Sequence, residues 1–183
     1  MRQVIVTVFG MDRPGIIAAV TEILYRQGCN LEDISMTILE GEFAMMMVVM
    51  VKSMAAGRQI LQRFQCGLKR KWGLTVICHE LRNRLKRGEK HKKDSDTYLL
   101  SAIGRDKTGI VYKVSRLIAQ YGLNITDLNC RILGYGSKAV YAMMLEIDVP
   151  RSLNLKKFEK SLYSLSRRLM IQIKLRPLER IEL

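Results

Sequence analysis

The run Gly10-Met11-Asp12-Arg13-Pro14-Gly15 places a carboxylate, a guanidinium and two glycines just ahead of an apolar stretch that begins Ile16-Ile17. If a helix starts there, its first backbone amides lack intrahelical acceptors and sit at the positive end of the helix dipole, a combination that suits an anion. Gly15 has no Cβ to hold a ligand away from the backbone, and Pro14 costs no hydrogen bond in a first turn. Asp12 offers the opposite charge for an ammonium, and Asn30 offers a donor and an acceptor in one side chain. The same residue types also serve the chain itself, since aspartate caps helices, glycine turns, and asparagine tolerates left-handed backbone. Spacing alone leaves both readings open.

An internal repeat shows which elements hold these residues. Gly10 to Ile17 is echoed by Gly104-Arg105-Asp106-Lys107-Thr108-Gly109-Ile110-Val111, and Gly28-Cys29-Asn30-Leu31-Glu32-Asp33 by Gly122-Leu123-Asn124-Ile125-Thr126-Asp127, both displaced by 94 positions. Two motifs at one displacement imply two copies of one unit. In each copy a short β-branched stretch, Gln3 to Phe9 or Thr97 to Ile103, reads as a buried strand ending at glycine. Ile16, Val20, Ile23 and Leu24 recur as Ile110, Val114, Leu117 and Ile118, one face of a helix that stops at Gly28 or Gly122. Strict alternation through Ile34, Met36 and Ile38, and through Leu128, Cys130 and Ile132, predicts a half-buried second strand. Glycines at 41, and at 134 and 136, mark a hairpin into third strands Phe43–Val51 and Lys138–Val149, whose methionines are expected in the core. Second helices follow from Ile60, Leu61, Phe64 and Leu68, and from Leu155, Phe158, Leu162, Leu165 and Leu169, with last strands at Leu74–His79 and Met170–Leu175.

The order is strand, helix, strand, strand, helix, strand, twice. That is an α+β fold of two tandem ferredoxin-like βαββαβ modules, antiparallel sheets with helices on one face. The expected organisation is a module over 1–80, a basic linker over 81–94 and a second module over 95–183.

The charge is unevenly spread. Residues 1–80 hold nine basic and seven acidic side chains, 81–93 seven and one, and 94–183 fifteen and nine, making up the net +14. Arg82, Arg84, Lys86, Arg87, Lys90, Lys92 and Lys93 therefore form the candidate surface for an anionic partner, a regulatory protein or directly a nucleic acid. A nucleic-acid-binding module acting through this linker and the second module is the alternative function. Its contact would be sequence-independent and salt-sensitive. An RRM shares the element order, yet aromatics make up only 7% and the third strand after Phe43-Ala44 is methionine and valine where basic and aromatic residues are wanted.

Other classes find little support. No nucleophile, base and orienting group assemble from motifs, and Ile16-Ile17 stand where a phosphate loop needs lysine and a hydroxyl residue. Catalysis is not expected, and neither is a cofactor. Cys29, Cys66, Cys78 and Cys130 form no C-x-x-C pair, and His79 and His91 are isolated, so metal binding is not expected and the thiols read as reduced and mostly buried. The longest apolar runs are about half the roughly 20 residues that span a bilayer, and the start lacks a signal-peptide pattern, so no membrane contact and a cytoplasmic location are expected.

Asp12-Arg13-Pro14-Gly15-Ile16 after a strand, followed by Gly28-Cys29-Asn30-Leu31-Glu32-Asp33, resembles the ACT family of amino-acid-sensing modules. The likeness covers both halves of the chain. Within that family, two modules together with Gly41-Glu42-Phe43 look most like the glycine cleavage system transcriptional repressor group. The resemblance implies side-by-side pairing of modules, hence a homo-oligomer, and a small amino acid such as glycine bound at the seam. It implies a site made by the first loop, Gly10, Met11, Asp12, Arg13 and Gly15, and the start of the second strand, Asn30 and Leu31. Asp106, Gly109, Asn124 and Ile125 are the matching residues of the second module. The implied role is a non-catalytic regulator, with transcriptional control of amino-acid metabolism as its setting.

Overall fold

The computed structural model describes residues 2–81, 91, 94–134, 136 and 139–178. The element order is β1 (Arg2–Met11), α1 (Ile16–Arg26), β2 (Asn30–Leu39), β3 (Glu42–Val51), α2 (Met54–Trp72) and β4 (Thr75–Glu80), followed by β5 (Ser95–Arg105), α3 (Ile110–Gln120), β6 (Asn124–Leu133), β7 (Val140–Pro150), α4 (Leu155–Leu169) and β8 (Ile171–Pro177). Each half builds an antiparallel four-stranded sheet, ordered β2-β3-β1-β4 and β6-β7-β5-β8. The chain divides into two compact units, Met1–Glu89 and Lys90–Leu183. The linker cations Arg82, Arg84, Lys86, Arg87, Lys90, Lys92 and Lys93 lie outside the described residues, as do Lys138 and the side chains of Ile60 and Leu61.

Alternation explains which side of each sheet the helices cover. Val4, Val6 and Val8 of β1 and Phe43, Met45, Met47, Val49 and Val51 of β3 are buried on one face, against Ile16, Val20 and Leu24 of α1 and Phe64 and Leu68 of α2. The second unit repeats this with Leu100, Ala102, Met143, Leu145 and Ile147 against Ile110, Val114, Ile118, Phe158, Leu162, Leu165 and Leu169. Period 2 in the strands and spacings of three and four in the helices meet in each apolar layer. The same alternation puts Met46 and Met144 on the uncovered face, where both are exposed although their neighbours Met45, Met47 and Met143 fill the core. Cys29, Cys78 and Cys130 are half-buried, whereas Cys66 is exposed on α2, and all four thiols are free. Burial pushes the Cys78 thiol up to about 11.

Residues at positive φ set the turns of the framework. Gly28 (φ +63°) and Gly122 (φ +68°) end α1 and α3 in the left-handed region, with their amides bonded back to Tyr25 and Ala119. Glu40 (φ +50°) and Gly41 (φ +82°) form the two-residue turn between β2 and β3, the twist-matched geometry that needs positive φ at both positions. The matching connection in the second unit is longer, since Leu133 pairs with Val140.

A buried hydrogen bond anchors His91 within the second unit. His91 Nδ1 lies 2.8 Å from Asp148 Oδ1; the carboxylate side chain is 1% exposed and the imidazole 23%. Removing the imidazole takes one hydrogen bond from the buried Asp148 side chain. His91→Leu is therefore expected to lower the stability of the second unit by about 2 kcal/mol, within the ~1.5–3 kcal/mol of a hydrogen bond to a charged group. Urea titration followed by circular dichroism checks this.

Candidate functional site at the first loop and the edge strand

The loop between β1 and α1 is built for its shape. Gly15 is the N-cap of α1 at φ +93° and Gly109 that of α3 at φ +90°, and neither helix start is closed by a side-chain hydrogen bond. A residue with a Cβ is strained at such φ, so glycine is needed at both caps. Asp12 was a candidate capping side chain on composition, yet glycine takes that position and Pro14 falls before the helix. The Asp12 amide donates instead to the Gly41 carbonyl at 2.8 Å, pinning the loop to the β2–β3 turn. With Ala19 donating to the Gly15 carbonyl, the amides of residues 16–18 are those left without intrahelical acceptors.

A cavity of about 590 Å³ opens beside these amides. Asp12, Arg13, Pro14, Gly15, Ile16, Ile17 and Ala18 form one wall, and Met36, Ile38 and Phe43 the other. Arg13 is partly committed already: its guanidinium lies 4.7 Å from the Trp72 ring centroid and donates to the Lys71 carbonyl at 3.1 Å. Lys107 repeats that contact in the second unit, with Nζ 3.5 Å from the Leu169 carbonyl. The loop cation thus closes the C-terminal end of the second helix in both modules, where carbonyls are unpaired. Gly10 is likewise a packing glycine, since a Cβ there would stand 3.0 Å from Leu74 Cδ2. Met11, at the end of β1, is exposed.

The two modules differ at this place. By register, Ile38 opposes Phe43 in the first and Ile132 opposes Tyr141 in the second. Cys130 occupies the position of Met36. Burial first, then a hydrogen bond with Cys130 and the nearby Asp106, push the Tyr141 phenol up to about 12. An apolar wall in the first module is therefore a hydrogen-bonding one in the second.

Asn30 and Asn124 lie elsewhere. Met50 pairs with both Asn30 and Gln3, so Asn30 stands level with the beginning of β1. The loop lies at its far end. Seven residues of strand from Gln3 to Gly10 separate them by about 23 Å at ~3.3 Å each. Asn124 is similarly level with Thr97, both opposite Asp148, while Asp106 and Gly109 follow the far end of β5. Within one unit the loop and the asparagine do not converge. Leu31 and Ile125 are half-buried and pack on the core.

Two features near Asn30 escaped motif reading. A register shift after Leu31, matched after Ile125, leaves Glu32 and Thr126 out of the ladder. Gln3 Nε2 donates to Glu32 Oε2 at 2.5 Å, while Gln3 Oε1 is a buried acceptor with no partner among the described residues. A glutamine early in a strand carries no motif; only the tertiary register reveals the pairing.

The edge strands supply the second half of the geometry. Ile34, Met36 and Ile38 face the helix side, opposite Met47, Met45 and Phe43, yet each is exposed, Ile38 by 52%. Leu128 and Ile132 of β6 repeat this, with Ile132 59% exposed. An apolar row on an edge strand with a free ladder is a template for pairing.

Similarity to known proteins agrees with this architecture. A UPF0237 protein of Methanopyrus kandleri is 49% identical over 49 residues, 27% of this chain and 54% of that protein. The chain spans about half the length of the curated relatives it matches. Among solved structures, a protein of unknown function from Galdieria sulphuraria aligns with a TM-score of 0.81 and 23% identity, covering 97% of this chain and 99% of that one. A candidate glycine cleavage system transcriptional repressor aligns with a TM-score of 0.69 and 19% identity over 98% of each. These two establish likeness of fold. The ACT domain family matches twice, over residues 2–76 and 96–176, and the chain belongs to that family of regulatory small-ligand-binding modules, carrying two of them in tandem.

Proposed function

We propose that this chain is a non-catalytic regulator that binds a small amino acid where the edge strand of one module meets that of another. The carrying observation is the separation just described: the anion-ready loop and the asparagine stand at opposite ends of β1 and β2. Antiparallel pairing of two such edges would set the loop of one module beside the asparagine of its neighbour. The ligand carboxylate then meets the amides of residues 16–18, and its ammonium meets Asp12 and the neighbouring Asn30 or Asn124. The apolar wall of Met36, Ile38 and Phe43 suits a small aliphatic side chain or none, as in glycine, and Tyr141 with Cys130 suits a polar one.

Binding would stabilise the paired arrangement over the separated one, and that differential affinity is the signal a partner reads. The basic segment, residues 82–93, supplies the anionic-partner contact in this reading, with a regulatory protein as the partner and control of amino-acid metabolism, including its transcription, as the setting. The four free thiols accord with a reducing cytoplasm. Direct nucleic-acid contact through the same cations is the second reading, favoured by their density.

Calorimetric titration with the common amino acids tests the proposal. Heat is expected with one or a few small amino acids, with affinity reduced at least ~10-fold in Asn30→Ala or Asn124→Ala, the loss of one charge-assisted hydrogen bond. Silence across the set, or affinity unchanged in both variants, would overturn it.

A further inference from the structure

A second cavity, of about 440 Å³, lies between α3 and α4 of the second unit and is lined by Tyr112, Lys113, Arg116, Leu117, Gln120, Leu165, Arg168 and Leu169. It is distinct from the loop site, since it lies on the helix layer. Its floor is Leu117, Leu165 and Leu169, and its rim carries three cations and no carboxylate. None of Lys113, Arg116 and Arg168 forms a salt bridge among the described residues. Arg116 Nη1 instead donates to the Tyr112 hydroxyl at 3.1 Å, which turns the guanidinium along the rim. Like charges three apart on one helix face repel each other, so Lys113 and Arg116 together cost stability until an anion joins them.

The duplicate module shows that this charge is no requirement of the fold. At the 94-residue displacement, Tyr112, Lys113, Arg116 and Gln120 correspond to Ala18, Ala19, Glu22 and Arg26. There the single carboxylate and guanidinium neutralise one another in an i,i+4 pair at 2.6 Å. The same helix, in the same place on the same sheet, is therefore neutral in one module and strongly cationic in the other.

We propose that the α3–α4 cleft binds a small phosphorylated ligand of nucleotide size. The volume lies within the roughly 300–1,000 Å³ of small-molecule sites. Three converging cations match two or more phosphate charges, with Arg116 and Arg168 able to engage oxygens in bidentate fashion. The leucine floor and the Tyr112 ring offer an apolar surface to the ligand's organic part. The site is separate from the amino-acid site and gives the second module an input that the first lacks.

The test is calorimetric titration of the full chain at low salt with ATP, ADP and inorganic diphosphate, alongside fluorescence anisotropy of a labelled single-stranded oligonucleotide. Micromolar ATP binding, competed by diphosphate, is the expected result. The double variant Lys113→Ala, Arg116→Glu imports residues already carried by the equivalent helix of the first module, and should weaken ATP at least ~30-fold while leaving amino-acid heats unchanged. Arg168→Gln, which leaves α3 intact, should weaken it about 5-fold, and circular dichroism confirms that both variants fold. Absence of heat with every phosphorylated probe, or equal affinity in wild type and both variants, would overturn the proposal. So would oligonucleotide binding that ATP and diphosphate fail to displace, because the cleft would then be a docking surface for a nucleic-acid backbone.

Discussion

Glutamate in place of both Ile38 and Ile132 is expected to abolish amino-acid binding and module pairing while leaving each unit folded. Both side chains are more than half exposed, so their replacement removes little from either core. Covering them at a seam would contribute about 1 kcal/mol each, taking half of the ~1.5–3 kcal/mol for complete burial of such a side chain. A carboxylate forced into that seam adds the cost of burying an unpaired charge, which exceeds the gain it replaces. The expected loss in ligand affinity is at least ~100-fold by calorimetry, with slower sedimentation than the wild type and a melting temperature within about 3 °C of it. Unchanged sedimentation and unchanged ligand heats would show that the apolar rows on β2 and β6 play no part in the site.

Substitution at Gly104 should have the largest effect on folding. A Cβ there would fall 2.6 Å from Ile171 Cγ2, 2.8 Å from its Cβ and 3.0 Å from its Cα, across the ladder between β5 and β8. No rotamer change relieves a clash with Cα and Cβ, so the strands must separate. Gly104→Ala is expected to cost about 3 kcal/mol, at the upper end of overpacking penalties, and Gly104→Val to unfold the second unit. Gly122→Ala is the control: nothing lies within 4 Å of its added Cβ, and only left-handed strain of about 1–2 kcal/mol remains. The chain's single tryptophan, Trp72, belongs to the first unit. Its fluorescence transition in urea should therefore stay in place while circular dichroism loses the second unit's share. Coincident loss of both signals would mean that the units do not fold independently.

Much of this architecture is legible before any coordinates. The displacement that carries Asp12 onto Asp106 and Asn30 onto Asn124 requires two copies of one unit, and alternation in Val4, Val6 and Val8 against helical spacing in Ile16, Val20 and Leu24 orients the apolar layers. Harder to read was the fate of β2. Its alternation predicts half-burial, and the structure exposes Ile34, Met36 and Ile38, because periodicity reports which face is apolar and says nothing of whether an edge strand has a cover. Met46 and Met144 were hidden for a related reason: a run of methionines masks alternation that the pleat nonetheless imposes.

The site divides in the same way. Gly15 and Gly109 were recognisable as turn glycines, and their left-handed φ is why no other residue serves there. Arg13 was named in the site through the resemblance, and its stacking on Trp72 depends on a residue 59 positions later, which no local pattern announces. Nor could spacing show that Asn30 lies a full strand length from the loop it accompanies in sequence. The cationic cleft between α3 and α4 was visible only as excess charge in the second half. Its meaning came from the comparison of Lys113 and Arg116 with Ala19 and Glu22, which the repeat makes possible.

Amide hydrogen exchange of the intact chain, with and without a saturating amount of the amino acid that gives the largest heat, addresses the shared seam most directly. Slowed exchange is expected together at residues 10–18 and at the Asn30 end of β2, or at their counterparts 104–112 and 124–128, segments that no ligand of amino-acid size can touch within one unit. Protection confined to the loop, or none at all, would contradict a site assembled from two modules.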